Sequence, residues 1–245
     1  AYEDADALNA CISAIKAQSV AVTQILIVDN SFEPLPLLPE HRQDRTIVVW
    51  SQPENIGIAG GLEMAVEWSR QQGFDFLWSF DQDSTPQPNC LELLLQTYHH
   101  RVGEDYPIGI VAPTPVDART GEIVQASWFL GDRFKGFPPP PSLEPYECDA
   151  PITSGSLLWL GTVSYVSPPD RDFFIDGIDL EYGLSLRHTG FHNLIVPAAR
   201  MEHRFGTPIQ VQLLGKQKAF QVYSPLRYYY ICRNQTYIEL HHSQG

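Results

Sequence analysis

Residues 74–86 read FDFLWSFDQDSTP, an apolar run that ends in two aspartates separated by one residue. Aromatic and aliphatic residues bounded by glycine and proline are typical of a buried strand. Asp81 and Asp83 then follow at the carboxyl end of this predicted strand. Carboxylates with this spacing can hold a hard divalent cation such as Mg²⁺ or Mn²⁺, which prefers oxygen ligands. Because aspartates are also common in turns, the pair alone leaves a metal site and a plain loop turn both open.

Strand and helix patterns alternate around this stretch. The runs ILIV at 25–28 and TIVVW at 46–50 predict two more strands. Apolar residues at helical spacing over 8–15 predict a first helix, with Asp4 or Asp6 available to cap it. Further helices are expected after Gly57 and around 91–98, and a further strand over 108–111. This alternation predicts an α/β fold with a Rossmann-like, mostly parallel sheet flanked by helices, in which ligands bind at the carboxyl ends of the strands.

The two ends of the chain carry separate expectations. No strand precedes the first predicted helix, although a βαβ unit would have one, so we expect an opening strand to be missing from the N-terminus. The second half is less regular. It predicts a hairpin arm over 121–130, a strand over 193–196 and two closing helical stretches separated by Pro225.

Composition excludes several classes of partner. The formal net charge of −13 over 245 residues argues against nucleic acid, which is bound by clustered lysine and arginine. It also argues against binding to an anionic membrane by charge alone. An acidic protein that binds an anionic ligand usually needs a local device such as a metal ion. The four cysteines show no CxxC pair, which favours buried, reduced thiols in a cytosolic protein.

Seven ordered blocks give the sequence a specific resemblance. The chain resembles the inverting GT-A glycosyltransferases of family 2, and its DQDS block and last three blocks are most like bacterial L-rhamnosyltransferases and, more distantly, galactofuranosyltransferases. The blocks are ILIVDNS (25–31), ENIGIAGG (54–61), FDFLWSFDQDSTP (74–86), ITSGSLL (152–158), FFIDGIDLEYGLSLRHTGF (173–191), MEHRFG (201–206) and SPLRYYYICRN (224–234).

The resemblance covers nearly the whole chain and implies a single GT-A (nucleotide-diphospho-sugar transferase) domain over 1–245. Residues 1–112 would form the nucleotide-sugar-binding half and residues 113–245 the acceptor-binding and catalytic half. The implied reaction moves a sugar, L-rhamnose from dTDP-rhamnose, onto a hydroxyl of a bacterial surface polysaccharide or lipid-linked saccharide. The implied location is the cytoplasm, with peripheral contact to the inner face of the membrane left open.

The family pattern assigns the metal site. It implies that Asp83 binds Mn²⁺ or Mg²⁺, that Asp81 binds the ribose or reaches the metal through water, and that His203 is the third protein ligand. Such a cation would bridge the donor diphosphate and neutralise the charge that develops as it leaves. Neutral imidazole suits Mn²⁺ better than Mg²⁺.

The family pattern also assigns nucleotide-sugar contacts. Asp29 would hydrogen-bond the nucleotide base or ribose, although it could equally cap the turn after its strand. Asn55, Gly57 and Gly60 lie in a tight loop where missing side chains would let the backbone approach the donor. The same residues could simply cap the following helix. Tyr2, next to the expected opening strand, completes this set.

An acidic cluster at a predicted helix start is the candidate catalytic group. Inverting transfer needs a base that takes the acceptor hydroxyl proton. The resemblance gives this role to Asp179, with Asp176 as second choice and Glu181 as an acceptor ligand. Helix capping must explain at least one of these carboxylates, since the helix dipole favours them. The family usually has an arginine where this chain has Ser185, so the chain departs from the family pattern within this helix.

The remaining assignments concern the acceptor and the leaving group. Ser154 and Gly155 would form an acceptor-side loop, and Trp128 could stack on a sugar unless it is a core residue. Arg227 could reach the diphosphate. Three alternatives stay open: a UDP-galactofuranosyl or other hexosyl transferase of the same fold, a catalytically silent nucleotide-sugar-binding module, and a nucleotidyltransferase. The last would want a glycine-rich loop with a basic residue near the start, which this sequence does not show.

Overall fold

The computed structural model describes residues 1–204, 209–213, 216–220 and 222–243. Helices and strands alternate through the first half, and strands dominate the middle of the chain. The helices are α1 (Ala5–Lys16), α2 (Pro39–Gln43), α3 (Gly57–Gln71), α4 (Cys90–Arg101), α5 (Ile178–His188) and α6 (Pro225–His242). The strands are β1 (Ile25–Asp29), β2 (Ile47–Ser51), β3 (Phe76–Trp78), β4 (Ser84–Pro86), β5 (Ile108–Asp117), β6 (Ala126–Phe129), β7 (Phe134–Phe137), β8 (Tyr146–Glu147), β9 (Leu157–Trp159), β10 (His192–His203), β11 (Ile209–Leu213) and β12 (Lys216–Phe220).

Local sequence signals explain where helices begin. Asp4 caps α1, since its carboxylate accepts a hydrogen bond of 2.9 Å from the Ala7 N–H. Ser224 caps α6 in the same way, and Pro225 occupies the first position, where its missing N–H costs nothing. Pro225 therefore begins a helix rather than separating two. The helical stretch predicted before it is wrong, because β11 and β12 pair there as an antiparallel hairpin.

The central sheet has the strand order β3-β9-β5-β10-β4, with β8 also paired to β10. β10 runs parallel to β5, whereas β9 lies antiparallel between β3 and β5. β1 and β2 form a separate parallel pair. The predicted α/β fold is confirmed, but strand directions are more mixed than predicted. The reason is that β9, from the second half of the chain, inserts antiparallel among strands of the first half.

The core lies on both faces of the central sheet. Neighbouring residues of a strand point to opposite faces. Ile110 and Ile195 therefore pack with Leu186 of α5, while Val111 and Leu194 pack in a second cluster that includes α4. The sheet is thus a buried layer between helices, which fixes the positions of its strand ends.

The loop after β3 is held rigidly against residues 153–156. Gly155 N–H donates to Ser79 O at 2.7 Å, and Ser79 N–H donates to Ser156 O at 3.0 Å. Trp78 Nε1 donates to Gly155 O at 2.8 Å. Gly155 has φ of +80°, and a Cβ there would lie 2.6 Å from Met201 Sδ. This position therefore requires glycine, and the strand that leads to Asp81 depends on it.

The N-terminal residues lie along the free edge of β1. Ala1 N donates to Val28 O, and Asn30 N–H donates to Ala1 O at 2.9 Å. The predicted opening strand would precede Ala1, outside the described residues, and stays a prediction. Across the ranges that the structure describes, no helix is both long enough and apolar enough to span a membrane.

Candidate active site

The carboxyl ends of β1, β3 and β10 open into one cavity of about 1200 Å³. Ligands of open α/β sheets bind at such strand ends. The first turn of α3 and the start of α6 complete the wall. Among the residues that line it are Tyr2, Asn55, Gly57, Asp81, Asp83, His203 and Arg227.

A series of hydrogen bonds through two serines connects Asp81 to His203. The Asp81 N–H donates to Ser154 Oγ at 3.0 Å. Ser154 Oγ and Ser84 Oγ are 2.6 Å apart, and Ser84 Oγ lies 2.7 Å from His203 Nδ1. Both serines are buried, at 2% and 1% exposure for Ser154 and Ser84. This series of hydrogen bonds therefore fixes the Asp81 backbone and the His203 ring relative to one another.

Asp81, Asp83 and His203 converge, as the sequence predicted. His203 Nδ1 lies 3.4 Å from Asp83 Oδ1, and His203 Nε2 lies 4.0 Å from Asp81 Oδ2. One ligand atom from each of the three residues lies within 4.8 Å of the others. Strand register causes this meeting, because His203, the last residue of β10, is paired directly with Ser84 of β4. Two carboxylates and one imidazole form a donor set that fits a divalent cation of the Mn²⁺ or Mg²⁺ class.

The surroundings of the acidic pair raise the pKa of Asp81. Enclosure in the cavity is the largest influence on Asp81 and raises its pKa. The Asp83 carboxylate raises the Asp81 pKa further, whereas His203 and Arg227 oppose the rise. Two carboxylates this close favour a bound cation, since it would remove their mutual repulsion.

Asp176 and Asp179 have different environments although they are three residues apart. Asp176 makes a bidentate ion pair with Arg227, with Nε–Oδ2 and Nη2–Oδ1 distances of 2.8 and 2.9 Å. Asp179 is the second residue of α5, and the Leu180 N–H donates to its carboxylate at 3.0 Å. Burial is the main influence on Asp179 and raises its pKa to about 6, with smaller contributions from Asp81 and Asp176. Asp179 is not among the described residues that line the cavity, but its raised pKa suits general base chemistry near neutral pH.

Asp29 caps the turn after β1, which was the alternative to a nucleotide contact. Its two carboxylate oxygens accept hydrogen bonds from the Ser31 and Leu35 N–H groups at 3.0 and 2.8 Å. Burial works against ionisation of Asp29, but these bonds outweigh it and lower the pKa. Asp29 is 1% exposed and lies behind Asn30, which lines the cavity. Nucleotide contact by Asp29 stays a prediction.

The glycines of the predicted donor loop are explained by packing. Gly57 has φ of +73°, and a Cβ there would lie 2.3 Å from the Phe174 carbonyl oxygen. Gly60 packs under the Ile56 side chain, and a Cβ at Gly60 would lie 3.0 Å from the Ile56 Cβ. Asn55 Oδ1 accepts from the Gly57 N–H at 2.8 Å. Gly57 and Gly60 lie in the first turn of α3 and Asn55 lies just before it, and their contact with a donor stays a prediction.

Tyr2 reaches the cavity rim through a contact that the sequence did not predict. Gln82, between the two aspartates, donates from Nε2 to Tyr2 O at 2.9 Å and accepts from the Tyr2 N–H. The residue that separates the carboxylates thus anchors the N-terminal segment beside them.

The predicted acceptor residues are dispersed. The Ser154 hydroxyl already accepts from the Asp81 N–H and contacts Ser84 Oγ. Gly155, the next residue, is hydrogen-bonded to Ser79. Glu181 accepts from Ser185 Oγ at 2.8 Å and lies 3.8 Å from His242 Nε2. Trp128, in β6, packs against the core cluster that contains Leu186. None of these four residues lines the cavity as the structure describes it, and their acceptor roles stay predictions.

Sequence reasoning missed Ser84, Gln82 and Asn234. Ser84 and Gln82 belong to the DQDS block, so their position next to the acidic pair was the available signal. Asn234 is buried in α6 and contacts the turn before α5. Asn234 ends the SPLRYYYICRN block, but its partners are about sixty residues away along the chain, so the block alone gave it no role.

Comparisons with known proteins agree with this geometry. The family model for Glycosyl transferase family 2 matches residues 1–128. The dTDP-rhamnosyl transferase RfbF of Shigella flexneri is 24% identical over 230 residues, which cover 93% of this chain and 73% of that protein. A solved structure of GalNAc-T7 with UDP, GalNAc and Mn²⁺ superimposes with a TM-score of 0.60 at 15% identity, over 84% of this chain. The match spans 41% of that solved chain.

The chain is a glycosyltransferase with a GT-A fold. It belongs to glycosyl transferase family 2, since the family match covers more than half of it. The similarity to the Shigella flexneri rhamnosyl transferase is moderate but extends over nearly the whole chain. The resemblance inferred from the seven sequence blocks is therefore confirmed at the level of family and fold.

The raised pKa of Asp179 predicts a pH-dependent effect on stability. The folded state holds this proton up to about pH 6, whereas an unfolded aspartate releases it near pH 4. Stability contributed by the protonated form is therefore lost as pH rises through this window. Asp179→Asn should raise the free energy of unfolding more at pH 8 than at pH 4.5, by about 1–2 kcal/mol.

Urea unfolding of both proteins at the two pH values measures this difference. Asp105→Asn, at an exposed carboxylate, is the matched control and should show no such dependence. An equal effect of Asp179→Asn at pH 4.5 and pH 8 would contradict the raised pKa.

Proposed function

We propose that this protein is an inverting, metal-dependent glycosyltransferase that moves L-rhamnose from dTDP-rhamnose onto a hydroxyl of a bacterial surface polysaccharide or lipid-linked saccharide. The observation that carries the proposal is the convergence of Asp81, Asp83 and His203 at one end of the cavity. The donor follows from the relative that is named as a dTDP-rhamnosyl transferase. A UDP-hexose donor is the second candidate, because the solved neighbour holds UDP.

Mn²⁺ or Mg²⁺ is the cofactor in this proposal. Asp83 and His203 would hold the ion directly, and Asp81 would hold it directly or contact the ribose. Ser84 supports the arrangement by orienting the imidazole, as outer-shell partners of metal ligands do. When bound, the cation neutralises charge on the departing nucleoside diphosphate. Such a device is needed because the cavity wall is acidic and the whole chain has a net charge of −13.

Asp179 is the base in this proposal. It takes the proton from the acceptor hydroxyl as that oxygen attacks the anomeric carbon from the face opposite the leaving diphosphate. Asp176 is less suited, because both of its carboxylate oxygens already accept hydrogen bonds from Arg227. Arg227 also lines the cavity, so the same residue is available to the diphosphate.

The division of the chain follows the fold. We assign donor binding to residues 1–112, with Tyr2, Asn55 and Gly57 at the cavity wall and Asp29 and Gly60 behind it. Acceptor binding falls to residues 113–245. Four free cysteines, three of them buried, suit a reducing compartment, and we place the reaction in the cytoplasm. Peripheral membrane contact stays a prediction.

Calorimetry tests the metal and the donor together. We expect dTDP to bind at least about tenfold more tightly with Mn²⁺ than with EDTA, since the cation offsets the negative charge of ligand and site. Asp83→Asn and His203→Gln should abolish this difference. The exposed His100→Gln is the matched control and should keep it.

Equal affinity for dTDP in Mn²⁺ and EDTA would contradict the metal assignment. Turnover of dTDP-rhamnose, UDP-galactofuranose, UDP-glucose and UDP-GlcNAc, followed as nucleotide release, separates the donors. Preference for any UDP-sugar would replace the rhamnosyl assignment and leave the metal site intact.

Asp179→Asn should retain dTDP affinity and lose turnover by about 10²–10⁴-fold, the usual contribution of a positioned base. In the unsubstituted enzyme, kcat/KM should rise with pH through about 6, because Asp179 accepts a proton only when ionised. Undiminished turnover in Asp179→Asn would remove Asp179 as the base.

A further inference from the structure

The turn between the short 3₁₀ helix Arg171–Phe173 and α5 has an unusual backbone. Phe174 and Asp176 have φ of 60° and 63°, and Gly177, which caps α5, has φ of 81°. Residues other than glycine rarely adopt positive φ, because the conformation is strained for a residue with a Cβ. A turn of this kind persists only where its surroundings hold it in place. It matters here because it carries Asp176 and sets the start of the helix that presents Asp179.

One side chain of α6 holds this turn. Asn234 Nδ2 donates to the carbonyl oxygens of Phe173, Ile175 and Asp176 at 3.0, 2.9 and 2.7 Å. The Asn234 side chain is buried, at 2% exposure. Arg233 Nη2 donates to Asn234 Oδ1 at 2.8 Å, which fixes the orientation of the carboxamide. The two amide hydrogens are therefore shared among three carbonyls of the turn, one of which, Phe173 O, also accepts from the Ile175 N–H.

The same turn contacts the predicted donor loop. The Ala59 N–H donates to Phe174 O at 3.1 Å, and Gly57 packs against that carbonyl. The donor loop has separate support from Asn30, whose side chain accepts from Ile56 N–H and donates to Gly57 O, both at 3.2 Å. Loss of the Asn234 contacts would thus loosen the start of α5 while the donor loop stays attached to β1.

We propose that Asn234 is a positioning residue for glycosyl transfer, which holds Asp179 in place through the Phe173–Asp176 carbonyls. This inference rests on the proposed role of Asp179 as base. Asn234 acts on the transfer step more than on donor binding, because its partners Ile175 and Asp176 lie between Phe174, which contacts the donor loop, and the start of α5. A base displaced by even a fraction of its hydrogen-bond reach loses much of its effect.

Asn234→Asp tests the proposal, since aspartate keeps the shape but donates no hydrogen bond when ionised. Asn193→Asp is the matched control. Asn193 is also a buried amide, and its Nδ2 donates to the carbonyls of Asp149 and Gly183 at 2.8 and 3.0 Å, away from the cavity. Nucleotide release from the preferred donor gives kcat and KM, and dTDP calorimetry gives the fraction of folded sites.

Asn234→Asp should lower kcat per folded site by about tenfold or more while KM for the donor changes less than about threefold. Asn193→Asp should lower the melting temperature and leave kcat per folded site unchanged. The proposal would be overturned by an unchanged kcat in Asn234→Asp, or by a rise in its KM as large as the fall in its kcat. The same loss of kcat in Asn193→Asp would also overturn it.

Asn234→Ser serves where Asn234→Asp does not fold, with the same criteria. Failure of both variants to fold would assign the amide to folding and would also overturn the proposal. Asp179→Asn, measured in parallel, keeps the two ideas separate. Full turnover in Asp179→Asn refutes the base, whereas loss of turnover there with unchanged kcat in Asn234→Asp refutes only the positioning role.

Discussion

Three hydrogen bonds in series join Asp81, Ser154, Ser84 and His203, and the geometry of the site follows from them. Both serine hydroxyls are buried, so each needs a partner within the protein. Removing either one would leave a buried polar atom unsatisfied and would remove one hydrogen bond from the His203 ring or from the Asp81 backbone. The series therefore works as a rigid support beneath two carboxylates that repel one another.

β10 is the element that delivers the second half of the chain to this support. It runs parallel to β5 and then, after an irregularity between Val196 and Arg200, continues beside both β5 and β4. Without this continuation, the strand would end well short of His203. Its length explains how an imidazole 119 residues beyond Ser84 reaches the acidic pair. The division of labour is also spatial, since the metal ligands lie at strand ends whereas Asp179 lies at a helix start.

Local signals predicted much of the fold. The spacing of Leu8, Cys11, Ile12 and Ile15 predicted α1, and the ILIV run predicted β1, because side-chain periodicity is a property of each segment alone. The pairing of strands could not be predicted in the same way. The antiparallel insertion of β9 and the hairpin before Pro225 depend on pairing between distant segments, and periodicity carries no information about which strands pair.

The residues of the candidate site were likewise predictable only in part. Asp81, Asp83 and His203 belong to family blocks, and the structure brings them together. Ser154 also belongs to a family block, but nothing in that block indicates that its hydroxyl lies between Asp81 and Ser84. Asn234 belongs to the same class, because its partners lie about sixty residues earlier in the chain. Residues that support a site are thus harder to predict than residues that contact its ligand.

The proposed mechanism depends most on the divalent cation at Asp81, Asp83 and His203. Anomalous diffraction at the manganese edge, from crystals grown with MnCl₂ and dTDP, locates that ion directly. The mechanism predicts a single strong peak in the cavity between the Asp83 carboxylate and the His203 imidazole, in contact with the nucleotide diphosphate. A nucleotide bound in the cavity with no anomalous peak at these side chains would contradict it.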